Sequence, residues 1–162
     1  MKTLNPEHCA VLMKFANASP FASLLGMKTV ELGIDSCRIE MKVEEKHLNP
    51  HGGIRGGVYE SLIDSATYWA AYGQLAEADG LTTIDLKADL LGTVQEGTLI
   101  VTSKAIKVGR RVCLSEATIT DQNGKLLCHG TSKLLVIQRD PQQMKAQYEK
   151  YGITTIPPKF LD

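Results

Sequence analysis

An α+β domain built on an antiparallel sheet is the fold class this sequence predicts. Three observations predict it: short runs of strict apolar–polar alternation, one long stretch with helical periodicity, and tight-turn residues between the later alternating runs. The chain has 162 residues, a length that suits one domain with a sizeable core.

Asn5-Pro6-Glu7 reads as a cap, a proline at the first helical position and an acidic first turn. A helix over about 5–16 follows and stops before Pro20. Residues 19–25 read as an irregular or 3₁₀ linker. Strands are expected at 27–32 and 37–43. In the second, Cys37, Ile39, Met41 and Val43 alternate with Arg38, Glu40 and Lys42. Residues 47–53 form a loop, and a long helix over about 54–78 comes next. Val58, Leu62, Ala66, Trp69, Ala70 and Gly73 make one stripe on it, with small residues that let the helix lie close to a sheet. Gly57, Glu60, Ser61, Asp64, Tyr68 and Ala71 make another. At roughly 100° per residue, Asp64 points away from the Leu62 stripe. Trp69 and Tyr72 read as core or interface residues.

The strand at 81–91 sets Thr82, Ile84, Leu86, Ala88 and Leu90 against Thr83, Asp85, Lys87 and Asp89. Strands at 98–108, 112–120 and 126–137 complete a meander. A turn at Gly109-Arg110 and a hairpin signal at Asp121-Gln122-Asn123-Gly124 join them. An amphipathic helical tail covers about 140–151.

Composition removes several function classes. Lys plus Arg and Asp plus Glu number 18 each, for a net charge of zero, so nothing argues for nucleic acid as a partner. No apolar run approaches a membrane span. The first residues lack the apolar segment of a signal peptide. Cys9, Cys37, Cys113 and Cys128 are scattered, which reads as reduced thiols in a cytoplasmic protein. No ligand cluster stands at metal spacing, so neither a metal nor another cofactor is expected. His8 and His47 have no partner at that spacing, and His129 reads as structural.

The chemistry concentrates in Asn49-Pro50-His51-Gly52-Gly53-Ile54-Arg55-Gly56-Gly57, which runs straight into the long helix. A glycine-rich helix start leaves backbone N–H groups unpaired at the positive end of the helix dipole, where an oxyanion can be held. Asp64, eight residues past Gly56, is then available as base or nucleophile. Eight residues span about 12 Å along a helix axis. One carbonyl cannot touch Gly56 and be attacked from Asp64 of the same helix, so the two halves of a site must come from different subunits. A second register also exists: His51-Gly52-Gly53 is followed by Glu60 at the same offset.

Asn49, Gly52, Gly56-Gly57 and Asp64 resemble the catalytic turn and helix of the hotdog-fold acyl-CoA thioesterases, in particular the PaaI-like group. The resemblance covers about 24–137 and implies an antiparallel sheet wrapped around the long helix. It implies one hotdog domain over 1–162, with an N-terminal helix at about 5–16 and a C-terminal extension at 138–162. It further implies hydrolysis of acyl-CoA to free acid and coenzyme A. In that scheme the Gly56 N–H, assisted by Asn49, polarises the carbonyl, Asp64 of the other subunit acts on it, and Thr83 places water. Gly57, Glu60 and the basic turn Lys107, Arg110 and Arg111 would contact substrate, in a homodimer or homotetramer with sites at the subunit interface. Under this resemblance, pocket walls would come from the second strand, the long helix and the partner subunit.

Arg55 stands where the family carries His. Arg stays charged and cannot act as a neutral imidazole. Three readings compete. Arg55 holds the loop through carbonyls, or it pairs with a substrate carboxylate or a coenzyme A phosphate, or the site only binds acyl-CoA. A hotdog hydratase acting on enoyl or hydroxyacyl thioesters is the other enzyme alternative.

Overall fold

The computed structural model describes residues 2–161. Met1 and Asp162, the ends of the expected 1–162 domain, lie outside the described residues. Helices α1 (Pro6–Ala18) and α2 (Pro20–Leu25) precede strands β1 (Met27–Leu32) and β2 (Ser36–Lys42). The long helix α3 (Gly56–Tyr72) leads into β3 (Asp79–Leu90), β4 (Thr98–Val108), β5 (Val112–Thr120) and β6 (Leu126–Gln138), and α4 (Pro141–Lys150) follows. The strands form one six-stranded antiparallel sheet in the order β1-β2-β4-β5-β6-β3. It wraps α3, which packs on β2 through β6.

The β2 alternation sorts its faces as its sequence requires. Cys37, Ile39 and Met41 are buried against α3, while Arg38 and Glu40 form an ion pair on the other face. The wrapped helix buries more than one stripe. Val58, Leu62, Ala66 and Ala70 are buried, and so are Tyr59, Ile63, Thr67 and Ala71. Ala71, expected on the stripe with Asp64, joins Leu75, Leu81, Cys113 and Leu134 in a second core cluster. A curved sheet covers a wider arc of the helix than a flat one does.

Three features differ most from the sequence reading. Residues 20–25 are helical, not irregular. The Ser19 side chain accepts from the Ala22 N–H, Pro20 starts the helix, and Gly26, at φ +73°, ends it. The long helix ends at Tyr72 rather than near residue 78. There Gly73 meets the β1–β2 turn so closely that a Cβ would stand 2.4 Å from the Ile34 carbonyl oxygen.

The third difference is a bulge in β3. The pairing register with β6 slips between Thr83 and Asp85, leaving Ile84 as the extra residue, 56% exposed. Before the bulge, Leu81 is buried and Thr83 half-buried; after it, Leu86 and Ala88 are half-buried while Asp85 and Lys87 are exposed. The expected single alternation through 81–91 is therefore wrong. Thr83 shares the inner face with Leu81, Leu86 and Ala88, not the outer face with Asp85 and Lys87.

The chain ends close the molecule. Leu4 bridges Phe160, the Asn5 N–H donates to the Lys159 carbonyl at 2.9 Å, and the Asn5 side chain donates to the Pro158 carbonyl at 2.9 Å. Lys159 is fully buried. Its ammonium donates to the Tyr72 carbonyl at 2.6 Å and the Leu75 carbonyl at 2.8 Å, the last acceptors of α3 and the turn after it.

Candidate functional site

The glycine turn is built by Asn49. Its side-chain oxygen accepts from the His51 N–H at 2.9 Å and the Gly53 N–H at 3.3 Å, and its own N–H donates to the Gly53 carbonyl at 2.7 Å. Gly52 sits at φ +85°, a conformation that favours glycine. The Ile54 N–H donates to the Thr93 hydroxyl and the Arg55 N–H to the His47 carbonyl, both at 2.9 Å. The Asn49 oxygen is thus committed to the loop, and only its amide NH₂ is left to face a ligand.

Arg55 occupies the N-cap of α3, exposed, and makes no side-chain cap bond. The N–H groups of Gly56 and Gly57 donate to no acceptor among the described residues. Gly57 has no need of positive φ, and a Cβ there would meet nothing within 4 Å. The space before the helix is open. A groove of about 640 Å³ runs beside it, edged by Asn49, His51, Leu90 and Thr93.

One pair of expected residues is brought together. The Thr83 hydroxyl donates to an Asp64 carboxylate oxygen at 2.7 Å, and both residues are half-buried. The bulge at Ile84 makes this contact by turning Thr83 inward. Beneath it the Thr67 hydroxyl lies 2.7 Å from that of Ser132, fixing α3 against β6. Among the described residues nothing bonds to the second Asp64 oxygen.

The other expected residues stand apart. Glu60 is exposed, one turn before Asp64, with no hydrogen-bond or ion-pair partner among the described residues. Lys107, Arg110 and Arg111 are exposed on the β4–β5 hairpin, and none joins an ion pair among the described residues. Val112 at its base pairs with Leu135, which pairs with Thr82. The hairpin therefore lies level with the Thr83 end of β3, not with the glycine turn.

A cavity of about 570 Å³ that the sequence reading missed lies one helical turn past Asp64. Its walls come from α1, the second half of α3 and α4, not from the second strand. Phe15, Tyr68, Trp69, Tyr72 and Tyr148 line much of it. Trp69 and Tyr72 are half-buried, packed against the core and lining this cavity. Tyr68 lies four residues from Asp64, so the same helical face carries both, and this signal was readable. The Tyr68 hydroxyl is held by Arg139, whose guanidinium also reaches the Met144 sulfur at 3.3 Å. Burial pushes the Tyr68 phenol up, against the opposing pull of Arg139. His8, 2% exposed, also lines the cavity.

The four cysteines are all free and buried. Burial pushes Cys37 up to about 12 and Cys128 up to about 11, so neither offers a thiolate for nucleophilic chemistry. His129 pairs with Glu116 at 3.2 Å on the sheet.

Comparison with known proteins gives a consistent picture. Residues 51–128 match the family model described as the Thioesterase superfamily. A Mycobacterium tuberculosis protein carrying an esterase name is 30% identical over 125 residues, 75% of this chain and 89% of that one. Its structure superposes with a TM-score of 0.72, covering 76% of this chain and 100% of that one. A 1,4-dihydroxy-2-naphthoyl-CoA hydrolase of Listeria monocytogenes is 28% identical over 64% of this chain and 85% of its own. Human acyl-coenzyme A thioesterase 13 is 27% identical over 74% of this chain and 87% of its own.

Proposed function

The chain belongs to the thioesterase superfamily of hotdog folds, and on that premise we propose that the thioester it hydrolyses is an acyl-CoA. The observation that carries this reading is the Asp64–Thr83 hydrogen bond, set about 12 Å along the helix from a glycine turn with unpaired N–H groups. Each half lacks what the other supplies. The Gly56 N–H polarises the carbonyl, with the Asn49 amide beside it. Asp64 of a second subunit either attacks the carbonyl carbon, expelling the thiolate and leaving a mixed anhydride that water hydrolyses, or takes a proton from water, whose oxygen bonds to that carbon as the thiolate leaves and receives the proton. Thr83 donates to one Asp64 oxygen and accepts from the same water. The thiolate of coenzyme A is a good leaving group, so no strong general acid is required.

A second subunit has an edge to dock on. β3 is one of the two edge strands of the sheet, and Ile84, Leu90 and Leu91 on or just past it are exposed. Two β3 edges paired antiparallel about a two-fold axis bring the Leu90 end of one beside the Thr83 end of the other. A Cβ on Gly56 would stand 2.8 Å from the Leu90 side chain, so the glycine turn travels with that end. The Gly56 turn of one chain then approaches Asp64 and Thr83 of its partner. Gly57 and Glu60 flank the substrate there. Arg55, Lys107, Arg110 and Arg111 supply cations for the coenzyme A phosphates. The cavity beside Tyr68 receives the acyl group.

The test mixes two disabled proteins. Asp64→Asn chains and chains disabled at the Gly56 turn should each be inactive on a panel of short-chain, long-chain and aryl-CoA thioesters. After subunit exchange, about a quarter to a half of the activity should return, because one site in the mixed dimer regains both parts. No rescue in verified heterodimers refutes the shared site. Tight binding of acyl-CoA without turnover by the unmodified protein would make this chain a binding protein instead.

A further inference from the structure

Arg139 enters the aromatic cavity as a cation with no anion set against it. It directly follows β6, and β3 is kept bare where the arginine stem crosses it: a Cβ on Gly80 would stand 2.7 Å from the Arg139 Cδ. The half-buried side chain lines the cavity. Its N–H groups meet two acceptors among the described residues, the Tyr68 oxygen and the Met144 sulfur, both uncharged. No carboxylate of the described residues forms an ion pair with it. Two acids do border the cavity, Glu77 and Asp79, and both are answered elsewhere. Glu77 accepts from the Lys159 N–H at 3.2 Å, and the Lys159 ammonium attracts both carboxylates. Lys145, also at the cavity, faces Glu149 at 3.8 Å. The Tyr68 oxygen accepts from Arg139 and from the Leu81 backbone N–H, so its own proton is left to donate. Guanidinium and phenol thus present donors side by side among aromatic rings. A guanidinium withdrawn from water without a counter-charge is costly, and its planar fork matches a carboxylate.

We propose that Arg139 is a specificity-determining residue that selects acyl groups carrying a carboxylate at the end remote from the thioester, the mono-CoA thioesters of dicarboxylic acids. This rests on the acyl-CoA reading above and adds to it. The carboxylate accepts from the Arg139 guanidinium and from the Tyr68 hydroxyl, while the apolar middle of the acyl group lies against the rings of Phe15, Trp69 and Tyr148. Burial pushes the Tyr68 phenol up, so it keeps its proton as a donor at neutral pH. A neutral end of the same size leaves the guanidinium without its counter-charge, so the selection comes from charge and not from fit. Arg139 and the Met144 that holds it both lie outside the stretch 51–128 that matches the family model.

Matched substrates test this: suberoyl-CoA and 3-(4-carboxyphenyl)propanoyl-CoA, each against the primary amide of its free carboxyl group. The amide keeps the size and loses the charge. At least one acid should be favoured over its amide by about 10-fold or more in kcat/KM. In Arg139→Met, which keeps most of the stem, the preference should fall to about 1, with the change in KM and not in kcat. Arg139→Lys, a point charge without the fork, should retain part of it. A ratio of 1 for both pairs in the unmodified protein overturns the proposal. So does a folded Arg139→Met protein in which acid and amide lose equally, which would place Arg139 on the coenzyme A they share. Non-hydrolysable thioether analogues bound to Asp64→Asn protein separate this from the hydrolase reading. Tighter binding of the acid that depends on Arg139 upholds the selection even if no thioester is turned over, and equal affinities overturn it. Should Arg139→Met not fold, the acid analogue ¹³C-labelled at its free carboxylate decides, bound to protein with Arg139 intact. Its carboxyl should titrate about one unit or more below that of the unbound analogue; an unshifted or raised value overturns the proposal.

Discussion

The two ends of α3 are finished in opposite ways. At the N-terminus Arg55 makes no cap bond, Gly56 and Gly57 have no described acceptor, and the space in front is open. At the C-terminus a lysine from 87 residues along the chain fills the last carbonyls, its ammonium 3.8 Å from the Tyr72 ring centroid. Both ends carry half-charges of the helix dipole, positive at the start and negative at the finish. Only the second is answered from within the chain. A helix end left open while its twin is sealed marks where a ligand is expected, because the same fold had the means to close both.

That contrast should divide mutational effects. Changes on the open side should alter turnover and leave stability intact; changes at the sealed end should do the reverse. The largest effect should come from Asp64→Asn, with kcat lower by about 10² or more and a urea midpoint close to the parent's. Glu60→Gln should do less, and if it is the more damaging change, the second register is the correct one. Lys159→Met comes next. It leaves the Leu75 carbonyl without its donor and should cost about 1–3 kcal/mol in unfolding experiments, with kcat unchanged at temperatures below the transition. A loss of turnover without a loss of stability would break the division.

The sealed end also carries a pH signature. Burial pulls the Lys159 amine from 10.5 down to about 8, against the opposing pull of Glu77 and Asp79. Between those values the unfolded chain binds more protons than the folded one. The contribution of this group to stability therefore rises with pH through about 8 to 10.5, and below that window its desolvation penalty is felt in full. Neutral amine still offers N–H groups to both carbonyls. Denaturation across that range should show a positive slope that Lys159→Met removes; an unchanged slope would mean another group is responsible.

Smaller effects sharpen the open end. Thr83→Val should lower kcat by about 10-fold, since Asp64 loses its donor and the water its acceptor, with little change in stability. Arg55→Lys should lower kcat/KM by about a few-fold on every acyl-CoA, because a point charge lacks the guanidinium fork that holds a phosphate. An unchanged kcat/KM in the variant would make Arg55 a loop residue only.

Much of this architecture was legible in the residues, for local reasons. Asn5-Pro6 starts a helix because cap and proline act within one turn, and Cys37, Ile39 and Met41 are buried because a period of two needs no knowledge of the partner strand. The Ser19-Pro20 start of α2 and its Gly26 stop were equally local and were passed over. Thr83 is different. Its inward face depends on a slip in pairing between β3 and β6, which alternation alone assigns to the wrong side. His8 was less legible still. Its ring is aimed by a carbonyl 149 residues away, and no spacing rule reaches that far. The Asp64–Tyr68 spacing announced a shared face, but the cavity on that face is walled by two helices whose docking the sequence does not state.

The clasp between the chain's two ends carries a consequence in time. Asn5 and His8 are made about 150 residues before their acceptors at 157–159. Residues 27–138 can gather their sheet around α3 before then, while the finish of that helix stays uncapped and α1 lacks its last partners. The roughly 20 residues from the end of β6 to Lys159 take about 1–4 seconds at about 5–20 residues per second, longer than many single domains need to collapse. The nascent chain thus passes through a period in which the Asp64 end of α3 is in place and the aromatic cavity is still unroofed.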